Sequence, residues 1–339
     1  MSPNISIVIP TRNRRRLLLT AVRSVLAQEL DDLEVIVVDD ASDDGTLEAI
    51  GHVPDGRVRA LRFSEPKGVA RARNAGLDAA RADCVAFLDD DDLWAPAKLR
   101  LQFDALCRSP EGRWSCVTAV RVDGSIRVIG IARAREGGDV VRRMLEVNAV
   151  PGGASGVLAD RALVASAGGF DERLSVLADW DLWIRLSQLS PLVALDVPLL
   201  AYRVHADRMS TNVDASRREL ETVSAKHSAL RARLGAEVDC LVWDAYFAEL
   251  EQRSGAHLVA ARSYLRLARR HHKLRAPVLA ALGALPGATT IRDRRRYRRI
   301  PEAELATISG WLAPLQGAAG PTNRSAISSD GDAADDGSQ

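Results

Sequence analysis

The sequence predicts an α/β fold: a mainly parallel sheet covered on both faces, followed by a region that is helical throughout. Three observations carry this. Over the first 90 residues, short and nearly continuous apolar runs alternate with stretches of helical periodicity, as parallel strands buried on both sides do. Two of those runs end directly in aspartates, Asp39-Asp40 and Asp89–Asp92. Beyond about residue 213 no strand-like run remains.

Ile5–Pro10 (ISIVIP) is β-branched and apolar, a buried strand that ends at Pro10 and Asn13. Leu18, Val22, Val25 and Leu26 recur at helical spacing within Leu17–Leu30. Leu33–Val38 is a second buried strand, and Ala41–Gly45 has the Ser, Asp and Gly of a turn. A short helix over Thr46–Ile50, a strand over Val58–Phe63, a helix over Val69–Ala82 and a strand over Cys84–Leu88 follow. Trp114–Val122 and Ser125–Arg133 read as a hairpin across Asp123-Gly124. Helices are expected over Asp139–Val147, Asp160–Ala167 and Asp179–Leu189, with a glycine-containing loop at Pro151–Gly156. Leu192–Val197 and Leu200–Val204 read as two strands. Ala215–Leu234, Glu237–Arg253 and Ala256–His271 read as helices.

The 339 residues, 47% hydrophobic and 27% charged, can bury a core of ordinary size. A net charge of +1 excludes a chain-wide nucleic-acid footprint, and 15 aromatics are too few for a base-stacking platform. No apolar run reaches the roughly 18 residues of a membrane span, and the N-terminus lacks the pattern of a secretory leader. Cys84, Cys107, Cys116 and Cys240 form no CxxC pair or zinc spacing. A reducing, cytoplasmic location is expected. Arg262–Arg299 carries twelve Lys/Arg against one acid, Asp293, and the chain ends in a Gly, Ala, Ser and Asp tail of disordered composition. The expected division is residues 1–212 (halves 1–110 and 111–212), a basic helical region 213–315 and a disordered tail 316–339.

Ligands of open parallel sheets bind outside the carboxyl ends of the strands. Asp39-Asp40 and Asp89–Asp92 would therefore project to one rim and repel unless a cation or a donor-rich ligand sits among them. Oxygen ligands suit a hard ion such as Mg²⁺ or Mn²⁺. Turn capping is the plainer reading of Asp39-Asp40. It explains a run of four aspartates poorly, because one helix N-terminus uses only one or two.

The segments ISIVIPTRN, LEVIVVDDASDDGT, GVARARNAGLDAA and FLDDDDLWAPAKL, with the later GGFDERLSVLADWDLWIRL, stand in an order and spacing that resemble family 2 glycosyltransferases over about residues 5–210. The resemblance implies a GT-A fold, the Rossmann-like sandwich of nucleotide-diphospho-sugar transferases. It also implies a nucleotide-diphosphate sugar donor, a Mg²⁺ or Mn²⁺ cofactor, and transfer with inversion to a carbohydrate or lipid-linked acceptor, in cell-surface polysaccharide or glycoconjugate synthesis.

By motif, Pro10, Thr11 and Arg12 would pack on the nucleoside, and Asp40 would accept a hydrogen bond from a uracil or thymine imide. Arg73 and Asp90 would lie at the nucleotide, with a helix-surface arginine as the plainer reading of Arg73. Asp89 and Asp91 resemble the D-x-D metal signature. The run of four leaves its register open, and the family spacing to Pro96 selects Asp91. His205 resembles a histidine near the metal and diphosphate, or is structural. Asp179 resembles the catalytic base, although Ala178 stands where the family more often has Glu; a helix N-cap is the alternative. A helix dipole there would lower its pKa. Trp180 would wall the acceptor side, and Gly153 in the GGASG loop would let backbone approach the acceptor, or simply connect. Trp94 and Trp183 read as core.

Two other classes stay open. A sugar-phosphate nucleotidyltransferase would want glycine after the first strand, where this chain has TRNRRR. A non-catalytic nucleotide- or partner-binding relative is favoured by Ala178 alone. The basic stretch 262–299 reads as peripheral docking on the anionic inner face of a membrane, or as a solvated appendage or homodimer contact.

Overall fold

The computed structural model describes residues 3–135, 137–205, 212–271, 293, 297 and 299–316. Strands β1 (Ile5–Thr11), β2 (Leu33–Asp39), β3 (Val58–Arg62) and β4 (Cys84–Phe87) alternate with helices α1 (Arg15–Leu26), α2 (Thr46–Gly51) and α3 (Val69–Ala79). Every residue of β1 and β2 is buried, as their unbroken apolar runs require. These four strands pair in parallel in the order β3-β2-β1-β4. Their carboxyl ends therefore share one edge.

Next come β5 (Leu93–Trp94), α4 (Lys98–Arg108), β6 (Trp114–Val122), β7 (Val128–Ala132), α5 (Val140–Glu146), a 3₁₀ turn at Gly153–Gly156, β8 (Val157–Asp160), α6 (Arg161–Ser166), α7 (Ala178–Ser187) and β9 (Leu192–Arg203). The sheet continues as β4-β8-β6-β9-β5, with β7 on β6. β6 and β9 are parallel; β8, β5 and β7 run antiparallel to their neighbours. The expected hairpin at Asp123-Gly124 is β6–β7. Two features differ from the expectation. The runs at 192–197 and 200–204 are one strand, whose register against β6 shifts on both sides of Thr118, opposite Pro198. β5 and β8 were not anticipated, because two and four residues are too short to show a period.

The described C-terminal helices are α8 (Val213–Lys226), α9 (Ser228–Leu234), α10 (Cys240–Arg253), α11 (His257–His271) and α12 (Glu302–Gln316). The helix expected over 215–234 breaks at His227. That imidazole reaches Asp181 of α7, which is fully buried and also bound by Lys226 and Arg185. Burial alone would raise the Asp181 carboxyl, but these partners hold it down at about 2. α12 returns to the sheet: its Ile308 and Leu312 pack with Val120, Val122 and Ala201. Most of the basic stretch 262–299 beyond His271, and the tail expected at 316–339 from Gly317 on, lie outside the described residues.

Trp94 and Trp183 are in the core, and Trp183 stacks on Trp114 with ring centroids 5.7 Å apart. α3 can lie against β1 only because residue 76 is glycine: a Cβ there would come 2.2 Å from Val8 Cγ1. Gly76→Ala should cost about 1–3 kcal/mol in chemical denaturation, the range of overpacked cores. A loss within about 0.5 kcal/mol, as at an ordinary surface position, would contradict this packing.

Candidate active site

The parallel strand ends open into a cleft of about 620 Å³. Pro10, Thr11, Arg12 and Arg14 line it beyond β1, Asp40 beyond β2 and Asp89–Asp91 beyond β4. Arg73 of α3, Gly152 and Gly153, Asp179 of α7, and Trp243 and Tyr246 of α10 complete the wall.

β4 ends at Phe87, and the acidic run is a turn, closed by Asp92 N–H donating to the Asp89 carbonyl at 3.1 Å. Strand alternation therefore does not decide which aspartates converge; the turn does. Asp89 accepts from Arg73 Nη2, and its own N–H donates to Ser155 Oγ at 3.0 Å. Asp90 Oδ2 accepts from Thr11 Oγ1 at 2.8 Å, and Oδ1 from Arg14 Nη1 at 3.1 Å. Asp91 Oδ2 lies 3.2 Å from Arg14 Nη1 and 3.0 Å from His205 Nε2. Asp92, fully buried, accepts from the Arg203 N–H at 2.9 Å. Ligand atoms of Asp89, Asp91 and Asp92 lie within 4.8 Å of one another. This donor set fits a hard divalent ion. Asp92 was missed because nothing in a run of four identical residues marks which ones a turn gathers. Burial, with the charge of Asp91 next, pushes the Asp90 carboxyl well above its ordinary value.

Asp40 is held by two backbone amides, Lys67 N–H at 2.6 Å and Gly68 N–H at 3.0 Å. An ionised carboxylate has about four acceptor sites, so this fixes its direction and leaves capacity for a ligand. Asp39 instead accepts from Ser42 N–H, the turn-capping role. Arg73 is not a surface arginine: it is buried, pairs with Asp89 and lies 5.2 Å from the Phe170 ring centroid. His205 stands beside Asp91, a contact that both the metal reading and the structural reading of this histidine allow.

Asp179 sits in the first turn of α7, not at its N-cap, which is Leu177. Glu219 of α8 fixes that entry by accepting from Val176 and Leu177 N–H, each at 2.8 Å. Asp179 Oδ1 accepts from Trp180 N–H at 2.7 Å, and Oδ2 from Asn148 Nδ2 at 3.3 Å. Gly153, at φ +60°, gives it room: a Cβ there would lie 2.7 Å from Asp179 Oδ2. The sequence suggested a lowered pKa, and the direction is opposite. Burial raises the Asp179 carboxyl and outweighs Arg73 and the Trp180 N–H, which lower it, while Asp89 raises it further.

Trp180 is a correction. It is 0% exposed, donates its indole N–H to the Met144 carbonyl at 2.6 Å and packs on Trp243, so it cannot wall the acceptor. Side chains on a helix point around its whole circumference, and Trp180 faces inward beside Asp179. The aromatic wall comes from Trp243 and Tyr246, one turn apart on α10, with Val242 46% exposed beside them. The i, i+3 spacing of Trp243 and Tyr246 was the available signal.

Residues 6–133 match the model of the family described as Glycosyl transferase family 2. The succinoglycan biosynthesis protein ExoO of Rhizobium meliloti is 41% identical over 98 residues, 29% of this chain and 28% of its own. The Escherichia coli UDP-Glc:alpha-D-GlcNAc-diphosphoundecaprenol beta-1,3-glucosyltransferase WfaP is 36% identical over 98 residues, 29% of this chain and 39% of its own. The chain thus aligns with well under half the length of either relative. Among solved structures, S. aureus TarS 1-349 in complex with UDP-GlcNAc is similar at a TM-score of 0.56 and 18% identity, covering 94% of this chain and 87% of that one. The mannosyltransferase PcManGT from Pyrobaculum calidifontis, in complex with GDP-Man and Mn²⁺, is similar at 0.51 and 21%, covering 94% and 86%. These likenesses are of fold, and the fold is GT-A. The match to glycosyl transferase family 2 thus covers the segment whose strand ends, at Thr11, Asp40 and Asp89–Asp91, line the cleft.

Proposed function

We propose that this chain is an inverting, metal-dependent glycosyltransferase that moves a hexose from a UDP- or dTDP-sugar to an acceptor hydroxyl in surface polysaccharide or glycoconjugate synthesis. One observation carries the reading: Asp179 and the Asp89–Asp91 turn line the same cleft. That is a base on one wall and a cation-binding rim on the other.

Pro10, Thr11 and Arg12 would flank the nucleoside, and Asp40, aimed by two amides, would accept its imide N–H. Asp91, Asp89 and His205, with Asp92, would hold the divalent ion. Bound there, Mg²⁺ or Mn²⁺ supplies positive charge for the departing diphosphate. Asp179 would take the acceptor hydroxyl's proton as that oxygen bonds to the anomeric carbon and the sugar–phosphate bond breaks. Attack opposite the leaving group inverts the carbon. The raised Asp179 pKa suits this task, since a more basic carboxylate is a better proton acceptor. Gly153 and the Trp243–Tyr246 wall would position the acceptor.

WfaP is named for a UDP-glucose donor and a diphosphoundecaprenol-linked acceptor, which supports a UDP-sugar and a lipid-linked acceptor here. Among the described residues no helix is long and apolar enough to cross a membrane. The outer face of α11 exposes Leu258 (72%), Val259 and Leu265 beside Arg262, Arg266, Arg269 and Arg270. Apolar side chains among arginines suit an anionic bilayer surface. The chain should therefore pellet with vesicles containing anionic lipid and much less with neutral ones. Equal pelleting would remove the membrane reading and leave the face as an appendage or a contact with a second copy.

A panel of nucleotide sugars with Mn²⁺, read as nucleoside diphosphate release, tests the function. Turnover that disappears with a chelator supports it. Tight nucleotide binding without turnover on any donor and acceptor pair would favour the non-catalytic reading that Ala178 suggests.

A further inference from the structure

We infer that Glu219, on α8 of the C-terminal region, is a positioning residue for the reaction proposed above: it clamps the segment that leads into α7 and so holds Asp179 in its working direction. The inference rests on that reading and gives a C-terminal helix a part in turnover. The direction of α7 depends on how the chain arrives, because its N-cap residue, Leu177, makes no side-chain cap. The carboxylates of the first turn are engaged elsewhere. Asp179 Oδ1 accepts from Trp180 N–H at 2.7 Å, and Asp181 binds Arg185, Lys226 and His227.

Glu219 reaches the arriving segment from another element. Its Oε1 accepts from Ser175 N–H at 2.8 Å and from the Ser175 hydroxyl at 2.6 Å. Its Oε2 accepts from Val176 N–H and Leu177 N–H, each at 2.8 Å. Four donors use the whole acceptor capacity of a carboxylate. Ser175, Val176 and Leu177 line the cleft beside Asp179.

Glu219, Val223 and Lys226 stand at i, i+4 and i+7, one face of α8. Val223 is buried in the core, and Lys226 donates to Asp181 at 2.9 Å. This face therefore grips the chain on both sides of Asp179, at Leu177 and at Asp181. The far end of the same loop is held by the donor side. Asn74 of α3 accepts from Phe170 N–H at 2.8 Å and donates to the Phe170 carbonyl at 2.9 Å. Loss of Glu219 frees the turn that carries Asp179 and leaves Arg73, the Phe170 ring and the nucleotide side in place.

The test compares the wild-type chain, E219Q, E219A, E219D, D179N, the double variant D179N/E219Q, and E221Q, altered at an exposed residue of the same helix. Turnover is measured on the nucleotide sugar and acceptor that release diphosphate fastest with Mn²⁺, and donor-side binding with UDP and Mn²⁺. Glutamine keeps the size of Glu219 but turns an NH2 toward N–H donors, and aspartate is one methylene short. E219Q and E219D should lower kcat about tenfold or more and E219A about 10²-fold, the scale of a misplaced reacting group, with UDP affinity within about twofold of the wild type. Amide hydrogen exchange over residues 175–181 should quicken in these variants, while the Lys67 and Gly68 amides that hold Asp40 exchange as before. E221Q should match the wild type. Because Glu219 acts through Asp179, adding E219Q to D179N should cost no more than about twofold.

A further tenfold loss in the double variant would show a role independent of Asp179 and overturn the inference. So would a kcat within about twofold of the wild type in E219Q, a fall in UDP affinity as large as the fall in kcat, or unchanged exchange over 175–181; each leaves the proposed function standing. Should E219A not fold, E219Q and E219D decide by the same criteria. Wild-type turnover in D179N would remove the base and this inference with it, and a wild-type chain that releases diphosphate from no donor would overturn the proposed function and this inference together.

Discussion

Asp179→Asn should lower turnover by roughly 10²–10⁴-fold, the usual worth of a positioned general base, while nucleoside diphosphate affinity stays within about twofold of the wild type. The amide oxygen of Asn can still accept the Trp180 N–H that the carboxylate accepts at 2.7 Å. The helix turn is thereby preserved, while the proton-accepting oxygen is removed together with the 3.3 Å bond it accepts from Asn148 Nδ2. Asp179 hydrogen-bonds to Asn148 and its own helix and makes no hydrogen bond to the strand-end turn, so the variant acts on donor binding only through the charges of Asp89 and Arg73, and the change should be small. The pH profile gives a second readout. A base works only when deprotonated, and burial raises the Asp179 carboxyl. Activity should therefore fall as pH drops through a value above the roughly 4 of a free aspartate, and that acid limb should vanish in the residual activity of the variant. Turnover within about tenfold of the wild type would remove Asp179 from the base role.

Asp91→Asn should abolish metal-assisted nucleotide binding and lower kcat/KM by roughly 10²–10³-fold or more, the scale of losing one charge-stabilising group. Asp91 is the aspartate on which Arg14 and His205 converge, and with Asp89 and Asp92 it makes up the oxygen cluster. An amide oxygen in its place carries no charge and binds a hard cation far more weakly. The fold should survive, because Arg14 keeps Asp90 as a partner and the repulsion between Asp90 and Asp91 is relieved. Near-wild-type thermal unfolding together with lost activity would separate the metal role from simple misfolding. Full metal-dependent binding in this variant would place the ion elsewhere.

Much of the donor side was legible in the residues because its determinants are local. β-branched apolar runs such as ISIVIP and LEVIVV, alternating with helical stretches, read as buried parallel strands, and parallel strands put Thr11, Asp40 and Asp89 on one edge whatever the loops do. Asp40 and Arg73 could be placed from motif position, but not their partners: the Lys67 and Gly68 amides and the Phe170 ring come from other elements. Trp180 and the Asp179 pKa show what a linear reading lacks. Whether a tryptophan next to a cleft residue faces the cleft depends on the helix's rotation, here fixed by Glu219 and by the bonds from Lys226 at the end of α8 and His227 just beyond it to Asp181. Likewise the dipole argument for Asp179 was sound in sign but omitted desolvation, which only the packed structure reveals and which is the larger effect. The spacing of Trp243 and Tyr246 shows that they share a face of α10, but that this face lines the cleft, like the return of α12 to the sheet, is a long-range packing choice with no local signature.

Anomalous diffraction at the manganese edge, from crystals grown with Mn²⁺ and UDP, would examine the proposed chemistry most directly. The mechanism predicts a single strong peak in coordinating distance of an Asp91 carboxylate oxygen and of the diphosphate, with Asp179 facing the space where the sugar would lie. UDP bound in the cleft with no peak beside Asp91, or a peak remote from the diphosphate, would contradict it.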